Sequence, residues 1–146
     1  SGDKTFNMGQ VSFQYPAGWS ESSTTGNFSN TSLYSEVTFT YDVIDSSGST
    51  QTAYIIVQTQ QKAKGVLNLP GTSSIIANNT NSSVSSVNVD NFTATQLGSA
   101  GDNMVQKVTL VEYNDYYYVI SMISPLNGAN QTIEAYNMIL NTFRIS

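Results

Sequence analysis

Between Met104 and Ile123 the chain reads as two apolar runs on either side of Asn114-Asp115. Asn and Asp tolerate the positive φ that a two-residue primed turn asks for at both central positions, so the pattern predicts a β-hairpin. Pairing across that turn sets Tyr113, Val111 and Thr109 beside Tyr116, Tyr118 and Ile120 on one face. The other face carries Glu112, Leu110 and Val108 beside Tyr117, Val119 and Ser121. Neither face is cleanly polar, which predicts cover on both sides. From Asn130 to Phe143 the apolar positions Ile133, Tyr136, Ile139, Leu140 and Phe143 form one helical stripe, with Asn127 or Asn130 as N-cap. Thr142-Phe143-Arg144-Ile145 lies too near the end to start another element.

Upstream, Val11, Phe13 and Tyr15 alternate with polar neighbours in one strand from Phe6 to Pro16, ended by the proline and an Ala17-Gly18-Trp19 turn. Phe13, Tyr15 and Trp19 are the expected core anchors of this third of the chain. Ser20 to Ser35 is polar and reads as a loop or irregular edge strand. Val37 to Ile44 and Ala53 to Val57 form a second hairpin around Asp45-Ser46-Ser47-Gly48-Ser49. In the stretch from Lys62 to Val87 a short helix from Thr72 or Ser73 would bury Ile75 and Ile76. Val87 to Thr95 reads as a strand with a tight turn or bulge at Asp90-Asn91, and Gly98 to Asn103 as a further turn into the C-terminal hairpin.

Composition narrows the setting. The 146 residues suit a single domain, with no repeat, linker, membrane span or signal peptide in view, and Ser1-Gly2 reads as the remnant of an expression tag. Only 10% of residues are charged, well under the usual quarter, and Ser, Thr and Asn supply the polarity instead. Six glycosylation sequons occur, at Asn27, Asn30, Asn78, Asn81, Asn91 and Asn130; a chain so rich in Asn, Ser and Thr also makes such triplets by chance. Together these features favour an extracellular or cell-surface address. Without cysteine there is no disulfide framework, and a secreted prokaryotic domain fits. A net charge of −5 with five cations disfavours nucleic acid and anionic membrane as partners.

Chemistry is sparse. With no His and no Cys, imidazole and thiolate dyads and the usual zinc and iron ligand sets are missing. No nucleophile-elbow, phosphate-loop or EF-hand pattern occurs. No cofactor is expected. Asp42, Asp45, Asp90, Asp102 and Asp115 all sit at predicted turns, where Asp bonds its own backbone. Tyrosine is the one enrichment, nine residues including Tyr116-Tyr117-Tyr118.

Val11-Ser12-Phe13-Gln14-Tyr15-Pro16-Ala17-Gly18-Trp19 resembles the opening of the PsbP-like family: an aromatic strand, Tyr-Pro, then Trp. Tyr117-Tyr118-Val119-Ile120, Tyr136 and Ile139-Leu140-Asn141-Thr142-Phe143-Arg144-Ile145 resemble its closing strand, helix and Phe-basic-Ile end. Val87 to Ala94 sits where relatives carry a strand and an Asn-Gly turn, although Asn91-Phe92 replaces the glycine step. The resemblance implies an α+β fold, a central antiparallel β-sheet flanked by helices in an α/β/α sandwich. From Lys62 to Ser86, where that family's charged amphipathic helix would lie, this chain is short of charge and rich in hydroxyls.

Members of the family are mostly binding proteins, among them the extrinsic photosystem II subunit. The expectation is therefore a monomeric, non-catalytic domain that binds a protein or cell-envelope component. Tyr113, Asp115, Tyr116 and Tyr117 at the hairpin tip are the expected partner face, because tyrosine brings amphipathic contact area at low entropy cost. The rival expectations are a hydrolase using paired carboxylates on envelope glycan and a weak Ca²⁺-dependent module.

Overall fold

A computed structural model of the chain describes residues 2–62, 83–101 and 103–146. The expected helix near Thr72, with Ile75 and Ile76, lies outside those residues, as do Asn78, Asn81 and Asp102.

Among the described residues the elements follow in the order β1 (Lys4–Met8), β2 (Val11–Tyr15), β3 (Ser20–Thr25), β4 (Tyr34–Ile44), β5 (Thr50–Gln61), β6 (Ser83–Val89), β7 (Phe92–Ala100), β8 (Met104–Tyr113), β9 (Tyr116–Pro125), α1 (Ala129–Thr142) and β10 (Arg144–Ile145). A seven-stranded sheet runs β3-β4-β5-β9-β8-β7-β6, and a three-stranded sheet runs β1-β2-β10.

The C-terminal hairpin has the expected register, with Tyr113 opposite Tyr116, Val111 opposite Tyr118 and Thr109 opposite Ile120. Its turn differs from expectation. Asn114 has φ 54° and Asp115 stays out of the left-handed region, the φ pattern of a II′ rather than a I′ turn. The doubly left-handed turn is instead Asp90-Asn91, with φ 49° and 66°. β7 runs on through Gly98 to Ala100, so the turn expected from Gly98 begins only at Gly101.

The N-terminal expectation of one strand is corrected. The chain reverses at Gly9, where φ is 58° and a Cβ would strike the Phe28 carbonyl; Phe6 then pairs with Phe13. The chain also does start another element after Phe143, because Arg144 and Ile145 pair with Ser12 and Val11. Two residues suffice when β2 supplies the ladder.

Helices on both faces are likewise corrected: among the described residues there is one α-helix. One face of the large sheet is closed by α1 together with the small sheet. Phe13 links the layers, its ring 5.8 Å from Phe143 and 5.7 Å from Phe39. Phe13, Tyr15 and Trp19 are all buried in this core, as expected. The opposite face of the sheet buries Val108 and Val119 beneath Leu97 and Leu110.

The helix stripe is as expected at Tyr136, Ile139 and Leu140, with Ala129, Thr132 and Ala135 also buried and Ile133 only partly so. Neither Asn127 nor Asn130 caps it. The N-cap is Gly128, reached through a 3-10 turn at Leu126–Gly128, while Asn127 Nδ2 donates to the Ile44 carbonyl at 3.2 Å. No side chain caps the first turn; Thr132 instead back-bonds within the helix, its hydroxyl donating to the Gly128 carbonyl at 3.1 Å.

Candidate functional site

The antiparallel order brings the Asp90-Asn91 and Asn114-Asp115 turns to the same end of the sheet. There Phe92, opening β7, meets Tyr113, closing β8, with ring centroids 4.6 Å apart and planes tilted by 44°. Tyr113 is 37% exposed and Phe92 is half-buried. An aromatic pair on two hairpins is a surface that needs no reordering to make contact.

The four residues expected to form the partner face separate. Tyr113 and Asp115 are exposed. Tyr116 is corrected to the core: it is 6% exposed, and its hydroxyl donates to the Ser32 carbonyl at 2.7 Å. Tyr117 points to the opposite face of the sheet and is half-buried. Lys62 Nζ stands 5.3 Å over its ring and 3.2 Å from Glu112 Oε2. The turn itself is tied down where the Lys62 N–H donates to the Asp115 carbonyl at 2.7 Å.

Phe92 is the residue that sequence reading left out. The signal was present: both turns were legible, and antiparallel pairing of the intervening strands places their ends together. The loop that receives Tyr116 carries two sequons. Asn27 and Asn30 are exposed, and Asn27 Oδ1 accepts from the Ser32 hydroxyl at 2.6 Å. Asn91 and Asn130 are exposed as well.

The carboxylates do structural work. Asp45 Oδ1 accepts from Ser47 N–H, the Ser47 hydroxyl and Ser49 N–H at 2.9, 2.6 and 3.0 Å. The Ser47 hydroxyl, then the Ser49 backbone, holds this carboxyl below its ordinary range. Asp42 accepts from the Thr52 hydroxyl at 3.1 Å. Asp90 accepts from Ile145 N–H at 2.8 Å and faces Arg144 Nε at 3.8 Å, which fastens β10 to the β6–β7 turn. Among the described residues no group of three or more such side chains gathers to hold a metal ion. No helix among them is long and apolar enough to cross a membrane.

No family model matches the sequence, and no curated protein does either. Solved structures do match. Cyanobacterial PsbP from Synechocystis sp. PCC 6803 aligns over 99% of this chain and 93% of its own, with a TM-score of 0.59 at 11% identity. The chain has the PsbP-like fold. LpqN of Mycobacterium tuberculosis, a protein involved in cell envelope biogenesis, aligns over 99% of this chain and 90% of its own at 16% identity, with a TM-score of 0.53. A protein from Bacteroides thetaiotaomicron VPI-5482 aligns over all of this chain, with a TM-score of 0.56 at 12% identity. This chain spans only 49% of that protein's length. At such identities the likeness is one of fold, and a shared fold does not by itself fix function.

Proposed function

We propose that this PsbP-like chain is a non-catalytic, extracytoplasmic binding domain that docks a protein or cell-envelope component through the hairpin end of its large sheet. The observation that carries the reading is the exposed Tyr113 ring set against Phe92 on two adjoining turns. Exposed aromatic rings that become buried on binding dominate the energetics of many interfaces. The low charge, the hydroxyl-rich composition and the envelope role of LpqN support the address. The domain acts as a monomer and does not engage nucleic acid, in keeping with its net charge of −5.

The test is capture from the native envelope with the intact chain as bait, compared with Tyr113→Ala and Asp115→Ala. A partner recovered with the parent protein should fall at least several-fold in both variants while melting stays unchanged. Equal recovery by all three proteins overturns the reading. Tyr116→Ala is the folding control, since that ring is in the core.

A further inference from the structure

A second built site lies toward the far end of β4, away from the hairpin tips. Pro16, Gly18, Trp19, Tyr41, Gln131 and Glu134 line a cleft of about 240 Å³ between α1 and the turn that joins β2 to β3. Pockets for drug-sized molecules run to roughly 300–1,000 Å³, so this one has room for a single ring.

Its floor is fixed in place. Trp19 N–H donates to the Pro16 carbonyl at 3.1 Å, Lys4 Nζ donates to the Trp19 carbonyl at 3.3 Å, and the indole stacks on Tyr41 at 5.2 Å and 22°. The indole Nε1–H is a donor only, and it forms no hydrogen bond among the described residues. Trp19 is only 2% exposed. Yet the one fully enclosed side-chain polar atom without a partner, among the described residues, is Gln58 Oε1. The indole N–H is therefore not fully enclosed, and Trp19 is among the residues that line the cleft. Gln131 and Glu134 are both exposed, one turn apart on the same face of α1.

The cleft thus offers one fixed donor, one anionic acceptor, one amide that both donates and accepts, and the half-buried Tyr41 ring. A cation would pair with Glu134 and leave the indole N–H unused. An anion would take that N–H and be repelled by Glu134. A ligand with adjacent hydroxyls on an apolar ring satisfies all of them, since each hydroxyl donates once and accepts twice. We propose that this cleft binds one pyranose ring, either a free sugar or the terminal residue of a glycan. Its C–H face lies on Tyr41, and its hydroxyls accept from Trp19 Nε1–H and donate to Glu134. This assignment is independent of the hairpin end and stands or falls separately from it.

Trp19 is the only tryptophan of the chain, so its emission reads the cleft without a label. The intact protein is titrated with glucose, galactose and N-acetylglucosamine, then with short oligosaccharides ending in each, with tetramethylammonium and acetate as controls. At least one sugar should give a saturable emission change, weakened tenfold or more in both Glu134→Ala and Gln131→Ala, whose melting should stay that of the parent. Saturation by monosaccharide identifies a free sugar; saturation by oligosaccharide alone identifies a glycan terminus. A non-saturating response to every sugar, saturation by tetramethylammonium or acetate instead, or unchanged affinity in both variants overturns the assignment.

Discussion

The Tyr136 hydroxyl of α1 lies 2.6 Å from the Thr109 hydroxyl of β8 and donates to the Ile120 carbonyl of β9 at 2.7 Å. Gln96 Nε2 donates to the same Thr109 oxygen at 2.9 Å. One buried phenol thereby joins the helix to three neighbouring strands and satisfies a carbonyl with no access to water. Tyr136→Phe should cost about 1–3 kcal/mol, the penalty for leaving such partners unmatched, with little change in secondary structure. Denaturant unfolding monitored by circular dichroism checks it; a midpoint equal to the parent's would show the network to be dispensable.

Gly128 and Val43 are coupled by space alone. A Cβ at Gly128 would drive into Val43 Cγ2, and the stiff β-branched side chain has nowhere to turn. Gly128→Ala should therefore destabilise by about 1–3 kcal/mol through overpacking, beyond any backbone effect. In Val43→Ala the same change should cost much less, or stabilise. A double-mutant cycle that returned simple additivity would remove the steric explanation.

Where local chemistry settled the structure, the sequence was legible. Asn114-Asp115 fixed the hairpin register, and the period of Tyr136, Ile139 and Leu140 fixed the buried face of the helix. The β1–β2 hairpin left a readable trace too, since the inward positions change from even at Phe6 to odd at Val11 and Phe13. Other features depend on distant partners. All six residues of β3 are exposed, so no pattern of burial marks it as a strand. β10 exists because β2 presents an open edge. Tyr116 left the expected partner face because an acceptor on Ser32, 84 residues earlier, receives its hydroxyl. Trp19 was legible as a core anchor, whereas the cleft beside it needs Glu134 and Tyr41 brought together across the chain.

The sequons separate by geometry. Asn30 and Asn91 are exposed on tight loops, and the hydroxyl residue of the latter sequon, Thr93, is exposed as well. At Asn130 the sequon threonine is Thr132, which is fully buried and bonded to Gly128 and Ser124. Glycopeptide mass spectrometry of protein from its native host should find modification at Asn30 and Asn91 in preference to Asn130. Occupancy at Asn130 alone would show that transfer precedes folding or ignores the fold.

Stability should also carry an alkaline signature. Burial, and then the neighbouring Tyr116 and Tyr113, push the Tyr118 phenol up to about 12; burial raises Tyr136 further still. Tyrosine in the unfolded chain ionises near 10. Because the folded state holds these phenols neutral, their contribution is complete below about pH 10 and is lost as pH rises towards 12. The folded state then has to ionise groups in an apolar setting or unfold to let them do so. Melting temperature should fall steeply across that window, with tyrosinate absorbance rising together with loss of structure. Tyr118→Phe removes one such group and should flatten the fall, whatever it does to stability at neutral pH. An identical slope in parent and variant would mean that the Tyr118 phenol does not drive the transition.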